Sequence, residues 1–289
     1  DGSFSFENIP YGTWYVREIE QPTGFVLDDT IYPVTIGADG QVVEIEIVNR
    51  YVRGNIHLTK VDSEYPDNKL TGATFEVYKD SNANGKLDDG DELLGTLTEK
   101  EKGEYSMNDL FYGRYFVKET KAPEGFVLDT GVYEVMIDTN GKTYEVENKA
   151  GVGFINDAMR GNLKIVKTSS DGKVKGFAFR ITGANGYDII LETNDKGEIF
   201  IDGLRIGDYT ISEVSNSASS MYIIPADKKA TVKLGSTTIV EMHNVLRDTP
   251  KTGDTTNLPL LYTLAGLSAV GIAVCGVIGF KKKKKEDRN

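Results

Sequence analysis

The chain is poor in the residues on which most enzyme chemistry rests. Its 289 residues include one cysteine, Cys275, two histidines, His57 and His243, and one tryptophan. A single cysteine excludes an internal disulfide, so an extracellular chain of this kind needs another source of durability. The histidines form no motif with each other or with a nucleophile, and both fall on outward strand positions. Phosphate loops, zinc-ligand spacings and serine elbows are also missing, so a turnover enzyme is not expected. Apolar runs long enough to cross a membrane are missing up to the C-terminal end, as is any long helical periodicity. The chain opens on Asp1 with neither an initiating methionine nor a signal peptide, and it reads as the C-terminal piece of something longer.

Basic charge is scarce except at one end. The net charge is −11, but the last nine residues hold six basic and two acidic side chains, leaving −15 for residues 1–280. So acidic a body argues against nucleic acid or an anionic membrane as partner and favours solubility at a surface.

What the sequence does have is repetition. Gly12-Thr-Trp-Tyr-Val-Arg-Glu18, Gly113-Arg-Tyr-Phe-Val-Lys-Glu119 and Gly207-Asp-Tyr-Thr-Ile-Ser-Glu213 each place a glutamate six residues after a glycine. QPTGFVLD and APEGFVLD follow the first two at one offset, and GNIHLTK and GNLKIVK end on Lys60 and Lys167. Asparagines close each unit, at Asn49, at Asn156 or Asn148, and at Asn244. Short β-rich runs alternating with period two, broken by Gly, Asn and Asp, predict an all-β fold of tandem immunoglobulin-like or prealbumin-like sandwiches. The expected units are the end of a first sandwich (1–50), a complete second (54–158) and a complete third (161–246).

Alternation also assigns faces. Tyr209, Ile211 and Glu213 share one, as do Trp14, Val16 and Glu18, and Tyr115, Val117 and Glu119. Lys60 shares a face with Ile56 and Leu58, Lys167 with Leu163 and Ile165, Asn49 with Ile45 and Ile47, and Asn244 with Val240 and Met242; Lys164 points outward. Each unit therefore directs a lysine, a glutamate and an asparagine into its core, where unpaired charge is costly.

With YFVKETKAPEGFVL as its E-box-like segment, the region 1–246 resembles the SpaA-like or collagen-adhesin B-type (prealbumin-like) domains of Gram-positive pilins and adhesins. The resemblance implies spontaneous lysine–asparagine isopeptide bonds assisted by the glutamate: Lys60, Glu119 and Asn156 (alternatively Asn148) in the second unit, and Lys167, Glu213 and Asn244 in the third. In the first unit Glu18 and Asn49 would await a lysine upstream. No cofactor is required by such chemistry.

The last forty residues set the location. Leu258 to Phe280 is 23 residues without a charge, long enough to cross a bilayer as a helix, and Lys281 to Lys285 fit its cytoplasmic side. Ahead of it, Thr249-Pro250-Lys251-Thr252-Gly253 resembles the LPxTG sorting signal of Gram-positive surface proteins, with threonine in place of leucine. The resemblance makes 249–289 a sorting signal. It implies attack by a sortase at Thr252, release from Gly253 onward, and transfer to a cell-wall precursor or a pilin, with membrane contact only as a precursor. The expected product is a secreted, wall-linked stalk of an adhesin or a minor or basal pilin, which upstream domains would connect to other pilins or to host matrix. A polymerising backbone pilin and the stalk of a wall-bound enzyme are the alternatives. The first is disfavoured because Tyr65-Pro66-Asp67-Asn68 carries aspartate where the pilin motif has lysine.

One insertion breaks the repeat. In the segment 80–92, Asp80, Asn82, Asn84, Asp88 and Asp91 take positions 1, 3, 5, 9 and 12 of an EF-hand-type loop, with the Lys86 carbonyl at position 7. Calcium is the expected ligand there, without flanking helices; a polar hairpin tip is the simpler alternative.

Overall fold

The computed structural model describes residues 2–248, so the sorting motif, the apolar run and the basic tail lie outside the described residues. Among the described residues no helix is long and apolar enough to cross a membrane.

Three β units follow one another. The first holds β1 (Gly12–Val16), β2 (Phe25–Val26), β3 (Tyr32–Ile36) and β4 (Arg50–Tyr51), with β1 antiparallel to β3 and β2 to β4. The second runs through β5 (Arg53–Asp62), β6 (Thr74–Lys79), β7 (Glu92–Thr96), β8 (Thr98–Glu101), β9 (Glu104–Phe111), β10 (Gly113–Lys121), β11 (Val132–Ile137), β12 (Thr143–Glu145) and β13 (Phe154–Asn156). The third has β14 (Arg160–Ser169), β15 (Ala178–Thr182), a short 3-10 turn (Ala184–Gly186), β16 (Asp188–Glu192), β17 (Glu198–Arg205), β18 (Gly207–Val214), β19 (Tyr222–Ile223), β20 (Lys228–Val232) and β21 (Thr237–Leu246).

Each complete unit has two sheets. In the second they are β11-β10-β6-β7 and β12-β5-β9-β8, with β13 continuing alongside β5. In the third they are β17-β14-β21-β19 and β16-β15-β18-β20. First and last strands of a unit therefore lie side by side and parallel: β5 with β12 and β13, β14 with β21. Burial alternates along β5 as far as Lys60 and along β14 as far as Lys167, and the inward residues form one core per unit, around Phe75, Tyr105 and Phe154 and around Phe177, Phe179 and Met242.

The repeated motif has a local cause. Gly12, Gly113 and Gly207 all take positive φ, +142°, +147° and +135°, at the turn into the glutamate strand, where a side chain would be strained. Two residues on, an aromatic folds back on that turn. The Tyr115 and Tyr209 hydroxyls donate to the Phe111 and Arg205 carbonyls, and Trp14 Nε1 donates to the Pro10 carbonyl.

The first unit departs from its expected face pattern. Trp14 is 43% exposed and Ile45 39%, and residues 41–49 form no strand. Among the described residues no strand pairs with that segment, so nothing covers the side on which the other units bury their lysine.

Candidate functional site

Beside the glutamate strand of each complete unit, the predicted triple comes together in the core. Lys60 and Glu119 are fully buried and Asn156 nearly so; Lys167, Glu213 and Asn244 repeat this in the third unit. The Asn156 amide donates to Glu119 Oε2 at 2.7 Å and to the Val127 carbonyl at 2.6 Å. Asn244 donates to Glu213 Oε1 at 2.6 Å, and in the first unit Asn49 donates to Glu18 Oε1 at the same distance. Lys60 Nζ lies 3.0 Å from the Phe154 carbonyl, and Lys167 Nζ donates to the Thr168 carbonyl and sits 4.1 Å from the centre of the Phe177 ring. Asn156 stands opposite Asp62, two residues past Lys60, just as Asn244 stands opposite Ser169, two past Lys167. Asn148 has no such position.

Burial sets the electrostatics. It pulls the Lys60 ammonium down to about 8, against the upward pull of the Glu119, Asp129 and Asp62 charges. It lowers Lys167 too, and it raises Glu119 and Glu213 above the ordinary carboxylate range. The buried polar atoms left without a hydrogen-bond partner fall almost entirely on these groups: Glu119 Oε1, Asn156 Oδ1, Glu213 Oε2, Asn244 Oδ1 and Asn49 Oδ1. Such orphans are rare in folded cores and cost about 1–3 kcal/mol each, so their recurrence at one position in three units marks a site rather than a packing accident.

Asp28 and Asp129, which end the two FVLD segments, escaped the sequence reading although their shared offset was visible. Their backbone N–H groups donate to Glu18 and Glu119 at 2.8 Å, and their carboxylates accept from Tyr32 and Tyr133. In the third unit an aspartate–tyrosine pair joins Asp171, in the turn after β14, to Tyr222 in β19.

Residues 1–51, 54–150 and 161–245 match the prealbumin-like fold domain family called SpaA. The chain belongs to this family. The match to the second SpaA unit stops at residue 150, before β13. The chain is similar to the trypsin-resistant surface T6 protein of Streptococcus pyogenes serotype M6, 28% identical over 184 residues, covering 62% of this chain and 30% of that protein. It also resembles the solved Bacillus anthracis TIE protein, at 26% identity and a TM-score of 0.62, covering 82% of this chain and 42% of that one. The chain thus spans well under half the length of either relative.

The SpaA units meet through a repeated joint. The Val52 N–H donates to the Gly24 carbonyl and the Tyr112 N–H to the Val52 carbonyl; Met159 relates Gly125 to Ile206 in the same way. At the second joint, Arg205 pairs in bidentate fashion with the fully buried Asp62 carboxylate at 2.6 and 2.7 Å and also reaches Glu64, which binds Arg160.

In the loop at 80–91, five side chains make hydrogen bonds within the loop. Asp80 accepts the N–H groups of Asn84 and Gly85, Asn82 and Asn84 donate to Asp88, and Asp91 accepts from Ser81 and Asp88. Among the described residues, no three His, Cys, Asp or Glu side chains gather as a metal-holding group. His57 lies between Glu104 and Glu145, and His243 contacts Thr168, both away from the triples.

Proposed function

We propose that this chain is a load-bearing segment of a Gram-positive surface stalk whose SpaA units lock themselves with lysine–asparagine isopeptide bonds. The observation that carries the reading is the buried Lys–Glu–Asn triple with its orphaned Glu and Asn oxygens. In the second unit, neutral Lys60 Nζ attacks Asn156 Cγ. The new C–N bond forms as the bond to Nδ2 breaks, and one ammonia leaves. Glu119, protonated at the outset, supplies the donor that Asn156 Oδ1 lacks, takes a proton from the attacking nitrogen and passes one to the departing one. Lys167, Glu213 and Asn244 do the same in the third unit. Preorganisation by the fold makes an external enzyme unnecessary. Intact-mass measurement tests this directly.

An amide between adjacent parallel first and last strands lets force pass from Lys60 to Asn156 without loading the residues between. A surface relative named for trypsin resistance fits a chain closed in this way. Asp67, in place of the pilin motif's lysine, favours an adhesin stalk or a minor or basal pilin over a polymerising one.

The C-terminal signal would supply the anchor. A sortase acting at Thr252 is expected to leave the chain in the wall fraction of a Gram-positive host. With Thr252→Ala it should remain in the membrane fraction at full precursor length; wall attachment undiminished in that variant would end this reading.

The loop at 80–91 carries a second reading, weak calcium binding, because Asn82 and Asn84 gather on Asp88 while Asp80 and Asp91 accept the loop's own N–H groups. Asp80, Asn82, Asn84, Asp88, the Lys86 carbonyl and Asp91 would hold the ion. Calorimetry is expected to give a Kd of roughly 10⁻⁴–10⁻³ M, lost in Asp80→Asn/Asp88→Asn. Absence of heat at millimolar calcium would leave the loop a hairpin tip.

A further inference from the structure

The last strand of the second unit is interrupted, whereas that of the third is not. Glu213 and Asn244 are 31 residues apart, as are Glu18 and Asn49, but Glu119 and Asn156 are 37 apart. β21 runs beside β14 without a break. In the second unit β12 pairs with β5 up to Glu145 opposite His57, and pairing resumes in β13 with Phe154 opposite Lys60. Six extra residues thus bulge out between the two pieces.

The bulge is closed at its neck. Lys149 and Gly153 bridge each other, and Gly153, at φ +124°, lies so close to β5 that a Cβ would meet the Thr59 carbonyl at 2.8 Å. The next closure is a side chain. Asn148 Oδ1 accepts the Ile155 N–H at 2.6 Å while its Nδ2 donates to the Ile155 carbonyl at 2.8 Å, a two-point imitation of a strand bridge. The same Nδ2 donates to Asp129 Oδ2 at 2.6 Å, and the Asp129 N–H donates to Glu119. Ile155 sits between Phe154, whose carbonyl holds Lys60 Nζ, and Asn156, whose amide meets Glu119.

We propose that Asn148 is a positioning residue. It splices the broken strand so that Asn156 is presented to Lys60, and through Asp129 it ties that splice to the glutamate. Asn148 is not an acceptor: both ends of its amide are engaged with Ile155 and Asp129. The role rests on the isopeptide reading above. It is specific to the second unit, because β21 needs no splice. A cleft of about 260 Å³, lined by Asp129, Asn148 and Asn156 among others, adjoins this amide and gives the leaving ammonia a way out.

The test follows both bonds in the same chain by timed sampling of cell-free synthesis and mass mapping of cross-linked peptides. Asn148→Ala should slow the Lys60–Asn156 bond roughly 10- to 100-fold, the scale of a misplacement of about 1 Å, and leave the Lys167–Asn244 bond at its normal rate. Asn148→Ser, which can meet only one Ile155 group, should fall between and serves if the alanine variant fails to fold. Asn156→Ala should leave Lys60 unlinked. In the Glu119→Ala background, where the Lys60–Asn156 bond does not form, adding Asn148→Ala should move the melting point of the second unit little, which separates positioning from general support. Normal rates in both Asn148 variants, or a Lys60–Asn148 bond, would overturn the role. Absence of both bonds in the unaltered chain would instead overturn the isopeptide reading, and the role with it.

Discussion

The purified chain is expected to weigh two ammonia molecules less than its sequence requires, with Glu119→Ala restoring one and Glu213→Ala the other. The bonds would close loops of 97 residues (Lys60 to Asn156) and 78 residues (Lys167 to Asn244), and the chain-entropy relation puts the stabilisation from such closures at about 4–5 kcal/mol each. In a unit of this size that corresponds to a midpoint roughly 20–35 °C higher. Glu119→Ala should therefore lower the melting temperature of its unit by about this amount and open it to trypsin. Part of the loss would come from the contacts of Glu119 Oε2 with the Asn156 amide and the Asp129 N–H, about 1–3 kcal/mol for each donor left unpaired, so the mass measurement is what separates the missing bond from the lost contacts. The pH dependence follows from the same two groups. Attack needs neutral Lys60 and protonated Glu119. Burial raises Glu119 and lowers Lys60 to about 8. Below the Glu119 value the neutral amine is lost tenfold per pH unit, and above about 8 the protonated acid is lost equally fast. Between them the two fractions change in opposite directions and the rate is flat. A full-mass chain, unaffected by either glutamate substitution, would sink the proposal.

Much of this site could be read from residue order, because a strand's period of two assigns a side chain to a face without further information. Lys60, Glu119, Lys167, Glu213 and Asn244 all lie inside, as the alternation requires. Faces do not name partners, however. Distance from the glutamate favoured Asn148 and the start of the next unit favoured Asn156. The pairing of β13 with β5 and the hydrogen bond to Glu119 put Asn156, not Asn148, beside the glutamate, since a bulge alters spacing without altering register. Trp14 and Ile45 had the right pattern and are exposed, because burial needs a covering strand as well as an apolar face. The Asp129–Asn148 link and the Arg205–Asp62 pair were invisible for another reason. Arg205 and Asp62 are 143 residues apart, at the ends of β17 and β5 in different units, where alternation assigns a face but no partner.

That pair makes a prediction of its own. Arg205→Ala is expected to loosen the joint between the second and third units. Asp62 is fully buried and Arg205 is its bidentate cation, so removing the arginine strands a carboxylate. Stranding a buried charge costs roughly 3–5 kcal/mol, and the units can avoid that cost only by parting so that water reaches Asp62. Small-angle scattering should then report a broader range of lengths, and trypsin should cut near Arg160, which now binds Glu64 and the Gly203 carbonyl. Asp62 also faces inward, toward Lys60 and Asn156, since it stands opposite Asn156 and its charge already draws Lys60 upward. Without Arg205 that charge is less compensated. Lys60 then holds its proton more firmly, and the Lys60–Asn156 bond should form several-fold more slowly, while Lys167–Asn244 keeps its rate. Arg205→Lys, which retains the charge but not the fork, should restore the bond rate more fully than the stiffness of the joint. If Arg205→Ala changed neither length distribution nor bond rate, the joint would be held by its backbone hydrogen bonds alone. If it changed both, the third unit would be setting the reactivity of the second as well as carrying its load.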